Sequence, residues 1–148
     1  DAYESILRRA FVDAYESGAT HVAFGDLFLA DIRAYRERLV EGTGLEALFP
    51  AWCGPEGTPA LARRMIAEGV RAFVACVDTT QLDRSFAGHS YDSRLLDGMP
   101  TSVDPCAERG EFHTFCTDGP MFRRAVRAVP GKAIDEGRFV RTEIALAA

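Results

Sequence analysis

With 148 residues, a net charge of −5, 47% hydrophobic and 26% charged side chains, the chain is long enough to bury a core without disulfides. Neither the bias of a disordered segment nor the basic footprint of a nucleic-acid binder is present. The longest apolar runs are too short to cross a bilayer, so no membrane partner is expected.

Residues 3–17 carry apolar side chains at helical spacing, from Tyr3 to Ala14, and Gly18 is placed to stop the helix. The charged start reads as no secretory leader, and without an initiator Met the true start is expected upstream. "HVAFG" (21–25) reads as a short buried strand, "LADIRAYRERLVEG" as a second helix with Arg33, Arg36 and Arg38 outward, and "EALFP" as another short strand. Thr58-Pro59 suits the N-cap and first turn of "ALARRMIAEG", which Gly69 ends. "VRAFVACV" (70–77) is a near-continuous apolar strand. Strands separated by helices predict βαβ units, a parallel sheet and ligands beyond the strand ends. That rule singles out "GDLF" (25–28) and "DTTQLDRSF" (78–86). Asp26 then either caps the next helix or faces a ligand crevice.

Residues 86–105 are rich in Gly, Ser, Asp and Pro and read as a long irregular connection. "EFHTFCTDGPMF" reads as a strand that turns at Asp118-Gly119-Pro120, and segments near 125–131 and 138–146 as a hairpin about "IDEG". The expected fold class is therefore α/β: a parallel-sheet, Rossmann-like portion over 1–85, then a smaller strand-rich substrate region over 86–148, together one domain.

Cys53, Cys76, Cys106 and Cys116 form no C-x-x-C pair and fit no zinc template, so free thiols and a cytoplasmic setting are expected. The densest chemistry is "DPCAERGEFHTF" (104–115). Asp104, Cys106, Glu108, Glu111 and His113 are all conceivable metal ligands, but one Cys and one His make a poor zinc set, so no metal is expected. A nucleophilic Cys106 would need a base or helix terminus that sequence nearness to His113 does not establish. A third reading is a loop in which Glu108 and Glu111, flanking the permissive Gly110, present two acids and bare N–H groups to a polar substrate. Solvated loop glutamates are the plain alternative.

Three blocks, "HVAFGDLFLADIRAYRE", "CVDTTQLDRSFAG" and "DPCAERGEFHTFCTDGPMF", in this order, resemble the diphthine–ammonia ligase family. That family belongs to the N-type ATP pyrophosphatases of the adenine nucleotide α-hydrolase superfamily. The resemblance runs from about Tyr3 to the C-terminal hairpin. The family pattern Glu-(Gly/Asn)-Gly-Glu-(Tyr/Phe)-(Glu/His)-Thr is matched by Glu108, Gly110, Glu111, Phe112, His113 and Thr114, in a form similar to the bacterial branch. Ala107 stands where glycine is usual, and Arg109 where Asn or Gly is usual. The family's Ser-Gly-Gly-x-Asp-Ser phosphate loop does not occur in the sequence, so the chain resembles the C-terminal part of the enzyme.

The resemblance implies an ATP-dependent amidation: a substrate carboxylate is adenylated, pyrophosphate leaves, and ammonia then displaces AMP. ATP with Mg2+ would be bound mainly by the missing N-terminal half, with Gly25 and Asp26 as this chain's cofactor contacts. Glu108 and Glu111 would be catalytic, and Asp104, Cys106, Gly110, His113 and Thr114 would bind substrate. The implied partners are a small-molecule or protein carboxylate, ammonia, and a second copy or the missing half. The rival expectation is a non-catalytic substrate-binding or interaction module that keeps only the C-terminal half of the fold.

Overall fold

The computed structural model describes residues 2–147. By internal packing the chain divides between Glu56 and Gly57 into two compact units.

The first unit contains α1 (Ala2–Glu16), β1 (His21–Ala23), α2 (Ala30–Val40) and β2 (Glu46–Leu48). Gly18 ends α1 as the pattern requires. At φ +97 it takes a left-handed turn, and the Gly18 and Ala19 N–H groups return to the carbonyls of Tyr15 and Ala14. The Arg8 side chain closes the other helix, its guanidinium donating to the carbonyls of Leu39 at 2.9 Å and Glu41 at 2.8 Å. Those are carbonyls that no later turn of α2 can satisfy. β1 and β2 pair in parallel, His21 opposite Glu46, as the only parallel pairing among the described residues.

Above this pair Phe11, Phe24, Phe49 and Trp52 form a chain of ring contacts with centroids 5.6–6.2 Å apart. Arg33 and Arg36, expected to look outward, instead lay their guanidinium groups over these rings, at 4.7 Å from Phe49 and 5.4 Å from Phe24. Both side chains are thus half-buried, with the charge resting on aromatic faces.

The second unit contains α3 (Thr58–Ala67), β3 (Arg71–Asp78), a 3-10 turn at Arg84–Phe86, α4 (Ser93–Gly98), β4 (Phe112–Asp118), β5 (Ala128–Glu136) and β6 (Phe139–Leu146). Gly69, φ +96, stops α3 in the way Gly18 stops α1. Thr58 is not the cap: it is the first helical residue, 1% exposed, and Gly57 precedes it with no side-chain bond. The predicted irregular stretch holds α4, whose start is capped by the Asp92 carboxylate accepting from the N–H groups of Arg94 and Leu95.

The expected parallel arrangement does not extend to β3. The sheet order is β4-β3-β6-β5 and every pairing is antiparallel. The Rossmann-like portion assigned to this chain is therefore absent, and the fold is mixed α/β with one small parallel pair and one antiparallel four-stranded sheet. The apolar run of β3 is explained by its central place: Val74 and Val77 are fully buried under α3 and α4, in a core with Ala62, Leu82, Leu95 and Phe112. β6 is tied to that strand by the Thr142 hydroxyl, which donates to the Val74 carbonyl at 2.9 Å.

Candidate functional site

The segment 104–111 enters from α4 and leaves as β4, and two buried carboxylates hold its shape. Asp104, 4% exposed, accepts from the N–H of Cys106 at 3.3 Å and of Glu108 at 2.8 Å. Its carbonyl takes the Ala107 N–H at 2.8 Å, and the Ala107 carbonyl takes that of Gly110 at 3.0 Å. Glu111, 2% exposed, closes the ring: one carboxylate oxygen accepts from the Asp104 N–H at 3.0 Å, the other from the Arg109 N–H at 3.1 Å. The Arg109 guanidinium lies 3.9 Å from the same carboxylate. The N–H groups of Asp104, Cys106, Ala107, Glu108, Arg109 and Gly110 are thus donated inside the loop. A buried carboxylate is tolerable because it meets charge-assisted donors on both oxygens.

Two positions in this loop take left-handed backbone, Gly110 at φ +79 and Ala107 at φ +57. The second is the position where glycine would be expected. Alanine there carries about 1–2 kcal/mol of strain, partly offset by the smaller entropy it loses on folding. Ala107→Gly should therefore raise stability by about 0.5–1 kcal/mol, read as a higher urea midpoint with an unchanged slope. A lowered midpoint would show that the Ala107 methyl, packed against the core, outweighs the strain.

Two further contacts pin the loop. The Tyr91 hydroxyl donates to the Pro105 carbonyl at 2.6 Å, and the Cys106 thiol to the Thr58 carbonyl at 3.5 Å. Burial pushes the Tyr91 phenol far above its ordinary range, so it stays a donor. Behind the loop lies a cavity of about 400 Å³ whose lining includes Cys106, His113 and Thr114. Of the expected substrate residues these three reach that space, while Asp104 and Gly110 serve the loop's own backbone. Glu108 is half-buried and does not line that space. Gly25 and Asp26 belong to the first unit. There Asp26 does not cap α2, whose N-cap is Leu29 without a side-chain bond; its carboxylate lies 3.6 Å from the Arg36 Nε. Among the described residues no group of three or more His, Cys, Asp or Glu is placed to hold a metal ion.

Sequence reasoning singled out the stretch 78–86 but not the residue that matters in it. Asp78 ends β3 at 2% exposed and accepts from Arg138 at 2.6 Å and 3.1 Å, from the Thr80 hydroxyl at 2.6 Å and from Gln81 at 3.2 Å. Its own N–H donates to the Glu111 carbonyl at 3.0 Å, so this node adjoins the loop's exit. The available signal was an acid directly ending a continuous apolar strand.

Residues 58–139, more than half of the chain, match the model of the diphthamide synthase C-terminal domain. The chain belongs to this family. The match starts at the first residue of α3 and runs to the first residue of β6, so it contains both the loop and the Asp78 node. Membership relates the chain to diphthamide synthesis. A search of curated proteins finds no match. Among the described residues no helix is long and apolar enough to cross a membrane.

Proposed function

We propose that this domain forms the substrate side of an ATP-dependent amide ligase similar to the bacterial-type diphthine–ammonia ligases of the adenine nucleotide α-hydrolase superfamily. The observation that carries the reading is the family match together with the closed loop 104–111 set against a cavity. An activated acyl group must be kept from water until the amine arrives, and an ordered loop over a cavity serves that need. Glu108 takes the proton from the incoming ammonia, and Glu111 is a positioning residue that acts through the loop it shapes. Cys106, His113 and Thr114 contact the acid.

ATP with magnesium supplies the activation of the carboxylate. Asp26 and Gly25 suit a nucleoside more than its phosphates: Asp26 is an acceptor, repels phosphate, and can take a ribose hydroxyl. A Cβ built on Gly25 meets no atom within 4 Å, which leaves room for close approach. The phosphates and the metal fall to a segment outside this chain, and the working unit is the domain joined to that segment.

The test is pyrophosphate release from ATP with ammonia and a panel of carboxylic acids, using the chain together with its ATP-binding segment. Glu108→Gln should lower amide formation by roughly tenfold to a hundredfold while the melting temperature holds. No acid-dependent pyrophosphate release sinks the ligase reading, and full turnover in Glu108→Gln sinks the assignment of Glu108 as its base.

A further inference from the structure

We infer that the cavity behind the loop takes the ring of an aromatic carboxylic acid, an assignment of substrate class that rests on the amide-ligase reading. Sulfur is the first reason. Of the chain's four cysteines and three methionines, two of each line this one space: Cys106, Cys116, Met65 and Met121. Thioether and thiol sulfur make favourable contacts with the edges of aromatic rings, and methionine adapts its shape to the ring it meets. Two rings already present, Tyr91 and Phe112, have centroids 6.3 Å apart at 39° and offer a face and an edge to a third.

Charge is the second reason. Among the described residues the lining holds no Asp, Glu, Arg or Lys. The Tyr91 hydroxyl is spent on Pro105, and both Glu111 oxygens are spent on backbone N–H groups. A cationic body would find no carboxylate among the described residues of this lining. A neighbouring cavity of the same unit differs on this point, being lined by Arg71, Asp92 and Arg94. The third reason is polarity at the rim. His113 and Thr114 are exposed members of the lining and offer N–H and O–H donors to a carboxylate whose ring lies deeper. A volume of about 400 Å³ lies at the small end of the range for small-molecule pockets, enough for a single-ring acid.

The probes are phenylacetate, cyclohexylacetate and 4-(trimethylammonio)butyrate, added without ATP to the chain carrying ¹³C-methyl methionine. Phenylacetate should shift the Met65 and Met121 resonances and leave Met99, which is outside this lining, in place. It should bind about three- to tenfold more tightly than the saturated ring, the factor that sulfur–aromatic contacts supply. Met121→Ala, at a side chain 69% exposed and so safe for folding, should weaken phenylacetate about threefold or more and leave the Met65 shift detectable. Equal or tighter binding of the trimethylammonium probe, or an unmoved Met65 at saturating phenylacetate, overturns the assignment. Because the readout is binding, a failed pyrophosphate assay removes the substrate role and leaves the ring-binding cavity standing. A failed methyl shift, in turn, leaves adenylation of another acid open.

Discussion

Glu111→Ala is expected to destabilise the second unit by about 3–5 kcal/mol, because two backbone N–H groups, one buried and one part-buried, lose charge-assisted acceptors. Those donors belong to Asp104 and Arg109, at the two ends of the loop, so the ring opens rather than shrinks. Glu111→Gln keeps one oxygen and presents an NH2 group to the other donor. Its cost should be smaller, about 1–3 kcal/mol. In a unit of this size that is a drop in melting temperature of roughly 5–20 °C. Exposed Glu41, mutated to Gln, is the control and should leave the transition in place. A melting temperature unchanged in Glu111→Ala would show that the loop does not depend on its carboxylate. Amide exchange separates this from a general loss of packing: the Asp104 and Arg109 N–H groups should exchange faster in Glu111→Gln even where the core N–H groups of Val74 and Val77 remain protected.

The loop shows what a residue pattern conveys about a site and what it withholds. Acids around a glycine announced a constrained loop, and the φ of +79 at Gly110 agrees with that. The spacing could not say which carboxylates point out. Asp104 and Glu111 lie on either side of the loop they close, and folding turns both inward onto N–H groups separated from them by only two to seven residues. That inward turn accompanies the left-handed residues 107 and 110, and at 107 the one signal was the glycine usual at that place in the family. Asp78 was hidden for a different reason: its partner Arg138 lies sixty residues away, and an ion pair of that separation leaves no local periodicity.

Helices were the most legible elements, since α1 and α3 each combine apolar periodicity with a stop residue. Gly18 and Gly69 ended their helices where the pattern placed them. The sheet was harder. A run such as "RAFVACV" reports that a strand is covered on both faces, which holds equally for the middle of a parallel and of an antiparallel sheet. Direction is decided by β4 and β6, which arrive later in the chain and flank β3 from either side. The βαβ expectation took the neighbour in sequence, α3 and the strand before it, as the neighbour in space. Here α3 shares the unit of β3, but the strand before it, β2, belongs to the other unit.

The second large effect is expected from Arg138→Gln. Asp78 is buried at the end of β3, and Arg138 beside it holds its carboxyl far below the usual carboxylate range, with the Thr80 hydroxyl next in importance. The folded-state value is depressed, so the stabilisation is present in full above the unfolded value near 4 and is lost as the pH falls through the folded one. Removing Arg138 leaves a buried anion with Thr80 and Gln81 alone and lets its carboxyl rise toward the ordinary value. At neutral pH the variant should unfold at a clearly lower urea concentration, since a buried charge without its partner is costly. Below about pH 4 the wild-type chain should lose stability more steeply than the variant, and the two curves should converge. Urea midpoints measured from neutral pH into the acid range decide it, and curves that stay parallel throughout would show that the pair is not coupled to folding. The Arg138 carbonyl also receives the Thr79 N–H and hydroxyl, and the Asp78 N–H reaches the Glu111 carbonyl. The hairpin tip, the end of β3 and the exit of the loop therefore share one set of bonds. Arg138→Gln should accordingly quicken exchange at Asp78 and then at Asp104 and Arg109, loosening the candidate site from a position that does not touch it.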